Sequence, residues 1–256
     1  MFLIYPSQVR SRVWTSSGLA ERESVHREEV YLLFLSSPAK YSVLLTGPPG
    51  VGKFEYLMAQ ARDALDAGER VVFVTLDLQP EEVRERAAGL SLRLRDYEGT
   101  SFAFVDGYSA SAETRAESVN GKGLFVVPSL ANLEGIGLAI QKAAQSLGTP
   151  VRILFYTVST LFLHHSAQAV ARFLQLVTSR IKAGLGSVLY ALHDGMVDPM
   201  TITALRSLTD GVVEMRFNDR MEQEVRVHHM RGYRVLPVWH RFGLVPTTLW
   251  EAAASQ

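Results

Sequence analysis

Val43-Leu44-Leu45-Thr46-Gly47-Pro48-Pro49-Gly50-Val51-Gly52-Lys53-Phe54 decides the fold. Its first four residues form a short apolar, β-branched run of the kind that makes a buried strand. A Gly-x-x-x-x-Gly-Lys loop follows, and beyond it Leu57, Met58, Ala61 and Leu65 recur at helical spacings of three and four. Strand, glycine loop and helix in that order make the setting of a phosphate-binding loop. The glycines let successive backbone N–H groups turn inward around a phosphate, the helix N-terminus adds its dipole, and Lys53 supplies a point charge. Two prolines stiffen the loop, which a plain turn carrying an exposed lysine would not need. The nucleotide-binding candidates are therefore Gly47, Pro48, Pro49, Gly50, Val51, Gly52, Lys53 and Phe54. Phe54 breaks the pattern, because the motif places Ser or Thr there to put a hydroxyl on Mg²⁺, and an aromatic ring cannot ligate a hard cation.

Outward from this stretch, short β-branched runs alternate with helical periodicity. Gly68 ends the first helix, Val71–Val74 reads as a strand, and Pro80-Glu81-Glu82 suits the first turn of a helix, where proline and acids complement free N–H groups. Strands are expected at Phe102–Val105, Leu124–Val127, Val151–Phe155 and Ser187–Leu192. Asn132 and Ser166 are placed to cap the helices running through Leu133–Leu147 and Val170–Ile181. This is the βαβ rhythm of a mostly parallel central sheet flanked by helices, an α/β fold. From Gly211 onward the runs Gly211–Phe217, Glu224–His229 and Val235–His240 have short connections and no helix between them, and read as antiparallel strands added at the C-terminal edge. The stretch from Ser109 to Gly123 is polar and without periodicity, a loop long enough to suggest function. With neither repeat nor linker, the expected organisation is an extension over 1–37, one domain over 38–245 and a tail over 246–256.

Composition narrows the classes. The chain has 256 residues, is 47% hydrophobic and carries 26 basic and 26 acidic side chains, which fits a domain with a real core rather than a disordered chain. The absence of cysteine excludes disulfides, zinc–thiolate sites and thiol nucleophiles. Zero net charge gives no push toward nucleic acid. No window approaches the roughly 18 apolar residues of a membrane span, so the expectation is a soluble, cytoplasmic protein with no membrane partner.

With these residues in view, the sequence resembles the RecA superfamily of P-loop ATPases, in its KaiC-like and archaeal recombinase-paralogue branch, over roughly residues 38 to 245. The resemblance rests on the Gly-Pro-Pro-Gly-x-Gly-Lys loop, on Val71–Asp77 with Pro80-Glu81-Glu82, and on Phe104-Val105-Asp106-Gly107-Tyr108-Ser109. It continues through Ser159-Thr160-Leu161, Leu208–Glu214 and Met230-Arg231-Gly232. It implies an ATP-binding core with ATP or ADP as ligand, assembled as a homo-oligomer or with a paralogous RecA-like subunit. Carried over residue by residue, it also implies losses. The carboxylate that polarises the attacking water falls on Asp77, and a second acid falls on Leu78. The Walker B aspartate falls on Tyr156, whose phenol, with a reference pKa near ~10, stays neutral at pH 7. The residues that reach a neighbour's phosphates fall on His229 and Arg231, the first of them a lysine in ring-forming relatives.

Losing the loop hydroxyl and the Walker B carboxylate together removes both protein holds on Mg²⁺, and phosphoryl transfer depends on positioning and charge neutralisation. The expectation is a regulatory or scaffolding pseudo-ATPase with a degenerate nucleotide site. The rival readings are a slow but active ATPase and a recombination accessory binding single-stranded DNA. Asp194, at a strand's carboxyl end, is a substitute metal ligand in the first rival and otherwise a loop-capping acid before Gly195.

Other residues carry blander expectations. His164-His165 and His228-His229 are adjacent, and neighbours on a strand face opposite ways, so neither pair is expected to chelate. Arg84, Arg86, Arg93 and Arg95 sit among Glu81, Glu82 and Glu85 and read as an ion-paired helix face rather than a nucleic-acid stripe. The chain has 21 Arg and 5 Lys. Arg206, Arg216, Arg226, Arg231, Arg234 and Arg241, with Trp239 and Trp250, gather at the C-terminal end, where guanidinium pairing and aromatic anchors suit a subunit contact.

Overall fold

A computed structural model describes residues 39–111 and 122–242. The expected extension over 1–37, the tail over 246–256 with Trp250, and most of the polar loop after Ser109 lie outside them.

A single nine-stranded sheet runs through the domain. Its strands are β1 (Ser42–Gly47), β2 (Arg70–Thr75), β3 (Phe102–Asp106), β4 (Leu124–Val126), β5 (Val151–Tyr156), β6 (Gly186–His193), β7 (Gly211–Phe217), β8 (Gln223–Met230) and β9 (His240–Arg241). Their spatial order is β4-β3-β2-β5-β6-β1-β7-β8-β9. The helices are α1 (Lys53–Asp66), α2 (Pro80–Gly89), α3 (Leu133–Leu147), α4 (Ala167–Arg180) and α5 (Pro199–Leu208), with a helical turn at Tyr108–Ser111.

Strands β1, β2, β3, β5 and β6 are buried nearly end to end because both sheet faces are covered there, as parallel sheets require. The period of two divides their side chains between two cores. Leu44, Val72, Val74, Ile153, Phe155 and Tyr190 face α3 and α4. Val43, Leu45, Val71, Phe73, Leu154 and Leu189 face α1 and α2. The caps predicted from sequence form: Asn132 Oδ1 accepts from the Gly135 N–H at 2.9 Å, and Ser166 Oγ accepts from the Ala169 N–H at 3.3 Å.

Three features differ from expectation. β7 is parallel, pairing with β1 from Val43↔Gly211 to Thr46↔Glu214, so the antiparallel additions are β8 and β9 alone. Of the run Val235–His240, only His240 enters a strand; the segment before it crosses the sheet edge without regular structure. The helix α5 was not anticipated, although Asp198 caps it, accepting from the Thr201 N–H at 2.9 Å ahead of a proline in the first turn.

β1 and β2 are consecutive in sequence yet have β5 and β6 between them. The carboxyl ends of four strands therefore converge: Gly47 pairs in register with His193, and Thr75 with Tyr156. In open α/β sheets ligands bind outside such carboxyl ends, where strand order switches.

Candidate functional site

The loop from Gly47 to Gly52 leaves β1 and enters α1 with Gly52 as its N-cap, at φ 95°. That left-handed backbone suits glycine, and a Cβ on Gly52 would also meet the Phe242 ring at 3.1 Å. At the loop's other end, a Cβ on Gly47 would lie 2.6 Å from the Met215 carbonyl oxygen of β7. The loop is thus held between helix and sheet in a form that only these glycines allow.

Lys53 is the first residue of α1 and is 3% exposed. Its Nζ donates to the carbonyl oxygens of Gly47 at 2.6 Å and Pro48 at 2.7 Å, so the ammonium is folded back over its own loop. Burial lowers its pKa to about 8, with Asp194 acting the other way. Next to it, Phe54 is buried, and its ring meets Tyr156 edge-on at a centroid distance of 5.6 Å and Phe73 at 6.4 Å. Tyr156 also lies over Phe73 at 6.5 Å and 23°, and against His193 at 6.2 Å. Burial pushes the Tyr156 hydroxyl up to about 12, against the pull of Arg86, so it is neutral at pH 7. Phe54 and Tyr156 thus form two packed rings at the carboxyl ends of the strands.

Asp77, at the end of β2, is half-buried and has both oxygens engaged. Oδ2 accepts from Thr157 Oγ1 at 2.9 Å, and Oδ1 accepts from Thr160 Oγ1 in a short contact. Burial raises its pKa, while the two threonine hydroxyls oppose the shift. Thr157 follows Tyr156 across a cis peptide bond. His193, at the end of β6, donates its backbone N–H to Ser159 Oγ at 2.7 Å, and its Nδ1 is buried without a partner among the described residues. Its pKa falls to about 4, through burial and then the nearby Lys53 charge. The Asp194 backbone N–H donates to the Gly47 oxygen at 2.9 Å, and its side chain feels Lys53, although burial is the larger influence and raises its pKa. Among the described residues no group of three or more His, Asp or Glu is arranged to hold a metal ion.

Lys53 and the N-terminus of α1 are groups of a chemistry suited to a phosphate. The donor set for Mg²⁺ does not fit, since Phe54 and Tyr156 offer a hydrocarbon ring and a neutral phenol where hard anionic or hydroxyl oxygens are required.

The residues proposed to act on a neighbouring subunit lie elsewhere, at the amino-terminal end of β7 and the facing end of β8. Arg231 donates to Asp210 Oδ1 at 2.8 Å, and Asp210 also accepts from Ser42 Oγ at 2.8 Å and pairs with Lys182 at 3.1 Å. His229 is exposed, and its ring centroid is 5.6 Å from that of His228. The expected alternation of this pair fails because a bulge interrupts the ladder there: Val212 pairs with His229 and Val213 with Val227, so His228 is the surplus residue and both rings stay exposed. Most of the C-terminal arginines are partnered within the chain. Arg206 and Arg226 both bind Glu214 at 2.6 Å, Arg216 binds Glu224 at 2.9 Å, and Arg241 binds Glu222. The guanidinium carbons of Arg216 and Arg226 lie 4.1 and 4.3 Å from the centroid of the Trp239 ring.

A family model described as "Family of unknown function (DUF7504)" matches residues 41–215, a span that takes in the loop, the aromatic cluster and most of β7. The chain belongs to this family. Around that DUF7504 core, the chain is 26% identical to a UPF0273 protein of Pyrobaculum aerophilum over 82% of this chain and 74% of that one. It is 31% identical to a UPF0273 protein of Aeropyrum pernix over 61% of this chain and 60% of the relative, so it spans well under two thirds of the latter. In structure it superposes on the KaiC-like protein of Pyrococcus horikoshii with a TM-score of 0.66 at 22% identity, covering 82% of this chain and 88% of the other. The domain has a KaiC-like RecA fold, as the sequence resemblance implied. No helix of the described residues is long and apolar enough to cross a membrane.

Sequence reasoning put Gly47–Phe54, Asp77, Tyr156 and Asp194 at one end of the sheet, and the structure brings them together there. It did not place Phe73, Thr157 or His193 beside this cluster, nor Arg86 over the Phe54 ring. Position at a strand's carboxyl end was the available signal for Thr157 and His193; nothing local marked Phe73 or Arg86.

Proposed function

We propose that this protein is a regulatory or scaffolding pseudo-ATPase whose nucleotide site keeps its phosphate loop and has replaced its metal site with packed aromatic rings. It binds the phosphates of ATP or ADP through the loop N–H groups and Lys53, without ordered Mg²⁺, and assembles with itself or a paralogous RecA-like subunit through the β7–β9 edge. The observation that carries this reading is the edge-on contact of Phe54 and Tyr156 at 5.6 Å. A ring edge packed against a ring face offers no anionic oxygen ligand to a hydrated divalent cation at these two positions. The resemblance to KaiC-like proteins supports assembly, and the Arg216–Trp239–Arg226 stack supports the edge as its place, since stacked guanidinium and indole groups make strong anchors.

Nucleotide titration with and without Mg²⁺, run on the wild type beside Phe54→Thr, tests the reading. The wild type is expected to bind ADP with an affinity that Mg²⁺ does not change, and the variant to gain affinity with the metal. A strong Mg²⁺ response in the wild type, or robust ATP turnover that depends on Lys53, would overturn it.

A further inference from the structure

Two arginines two residues apart on α2 differ sharply in what holds them. Arg84 is held by three hydrogen bonds: Nε and Nη2 donate to the two oxygens of Glu98 at 2.6 and 2.9 Å, and Nη1 donates to Glu81 at 2.9 Å. Arg86 instead lies over the Phe54 ring, with its guanidinium carbon 4.0 Å from the centroid. Its nearest carboxylates, on Glu55 and Glu82, are each 3.8 Å away, beyond hydrogen-bonding reach. Among the described residues it has no hydrogen bond, and its side chain is 38% exposed. A guanidinium that stacks face-on keeps its N–H donors free in the plane of the group. The Tyr156 hydroxyl feels the same charge from the other side of the cluster. A cation with unused donors is therefore parked on the ring that stands where the loop hydroxyl belongs, one residue from Lys53.

We propose that Arg86 is the second cation of this phosphate site, binding the oxyanions of a diphosphate chain directly and supplying the charge that a divalent metal would otherwise bring. This deepens the nucleotide-binding reading above and rests on it. The ligand class is a pyrophosphate-type anion, whether free or as part of a nucleoside di- or triphosphate. Glu55 and Glu82 hold Arg86 by charge alone, and an anion with several charged oxygens displaces them by offering the bidentate bonds they do not make.

Calorimetric titration of the full chain with pyrophosphate and with ADP, both in EDTA, tests this on wild type, Lys53→Ala, Arg86→Gln and Arg86→Lys. Wild type is expected to bind both ligands, and Arg86→Gln to weaken both by the same factor, about tenfold or more for a charge-assisted contact. Arg86→Lys should recover only part, because an ammonium lacks the planar fork. Arg86→Met, which keeps an apolar stem over the ring, replaces the Gln variant if that one does not fold. If Lys53→Ala loses binding while Arg86→Gln binds like wild type, the loop reading stands and the role of Arg86 falls. A loss confined to ADP also overturns the proposal, since it moves Arg86 from the phosphates to the nucleoside. If the wild type binds neither ligand without metal, both fall together.

Discussion

Thr157 Oγ1 donates to Asp77 Oδ2 at 2.9 Å, tying the carboxyl end of β2 to the turn that follows β5. Thr160 donates to the other oxygen, so each oxygen of the carboxylate already accepts one hydrogen bond. Asp77 is a fastening between two neighbouring strands. Asp77→Ala is expected to lower unfolding stability by about 1–3 kcal/mol, because two hydroxyls lose their acceptor in a half-buried place. Urea denaturation reads that loss. ATP turnover of the variant should equal that of wild type, and a selective fall in turnover at unchanged stability would restore Asp77 to a catalytic role.

The aromatic cluster at Phe54 and Tyr156 carries stability. Phe54 is 2% exposed, and its removal in Phe54→Ala should cost about 3–5 kcal/mol, the usual range for a buried ring. In a double-mutant cycle of Phe54→Leu and Tyr156→Leu, the edge-on contact should appear as a coupling of about 0.5–1.5 kcal/mol. Tyr156→Phe should be nearly neutral, which separates the ring from the hydroxyl. Additive effects in the cycle would mean that the rings are neighbours without being partners.

Lys53 gives the site a pH window. Its folded pKa near 8 lies below the ordinary lysine value of 10.5, so between these values the folded chain has released a proton that the unfolded chain still holds. Stability from this group therefore rises with pH across the window, while anion affinity falls as pH climbs through 8 and the ammonium is lost. Pyrophosphate titrations from pH 7 to 9.5 are expected to show this decline in wild type and not in Lys53→Arg, whose charge persists. His193 works at the acid end: its pKa near 4 lies below 6.5, so the protein loses stability as pH drops from 6.5 toward 4, and His193→Gln should remove that part of the acid sensitivity.

Glu214 is the shared acceptor of Arg206 and Arg226, each at 2.6 Å, and its side chain is 11% exposed. Glu214→Ala should cost about 1–3 kcal/mol, less than a fully buried pair would lose, because the arginine side chains are 34% and 27% exposed and water takes over part of their solvation. Thermal melts at low and high salt check it, and the difference between wild type and variant should shrink as salt rises.

Local chemistry was legible and tertiary choice was not. The strand–loop–helix setting of Gly47–Lys53 and the caps at Asn132 and Ser166 rest on contacts within a few residues, and these formed as read. Asp198-Pro199 carried an equally plain helix start for α5. β7 looked like an antiparallel edge strand because its following neighbour is one, but its pairing with β1 depends on a partner more than 160 residues away. Arg86 read as one of several solvated helix arginines. Which of them meets Phe54 is settled by how α2 packs on the face that holds α1, a relation that no spacing within α2 encodes.

The surplus residue at His228 gives β8 one position that no ladder bond requires. A chain lacking it would run straight from Val227 to His229 with every other pair intact, so this edge can lose a residue and keep its register. Ordinary strands cannot, since a single deletion turns all following side chains to the opposite face. Here the change would fall on the outward His pair alone, letting the exposed rim vary in sequence while the sheet beneath it stays fixed.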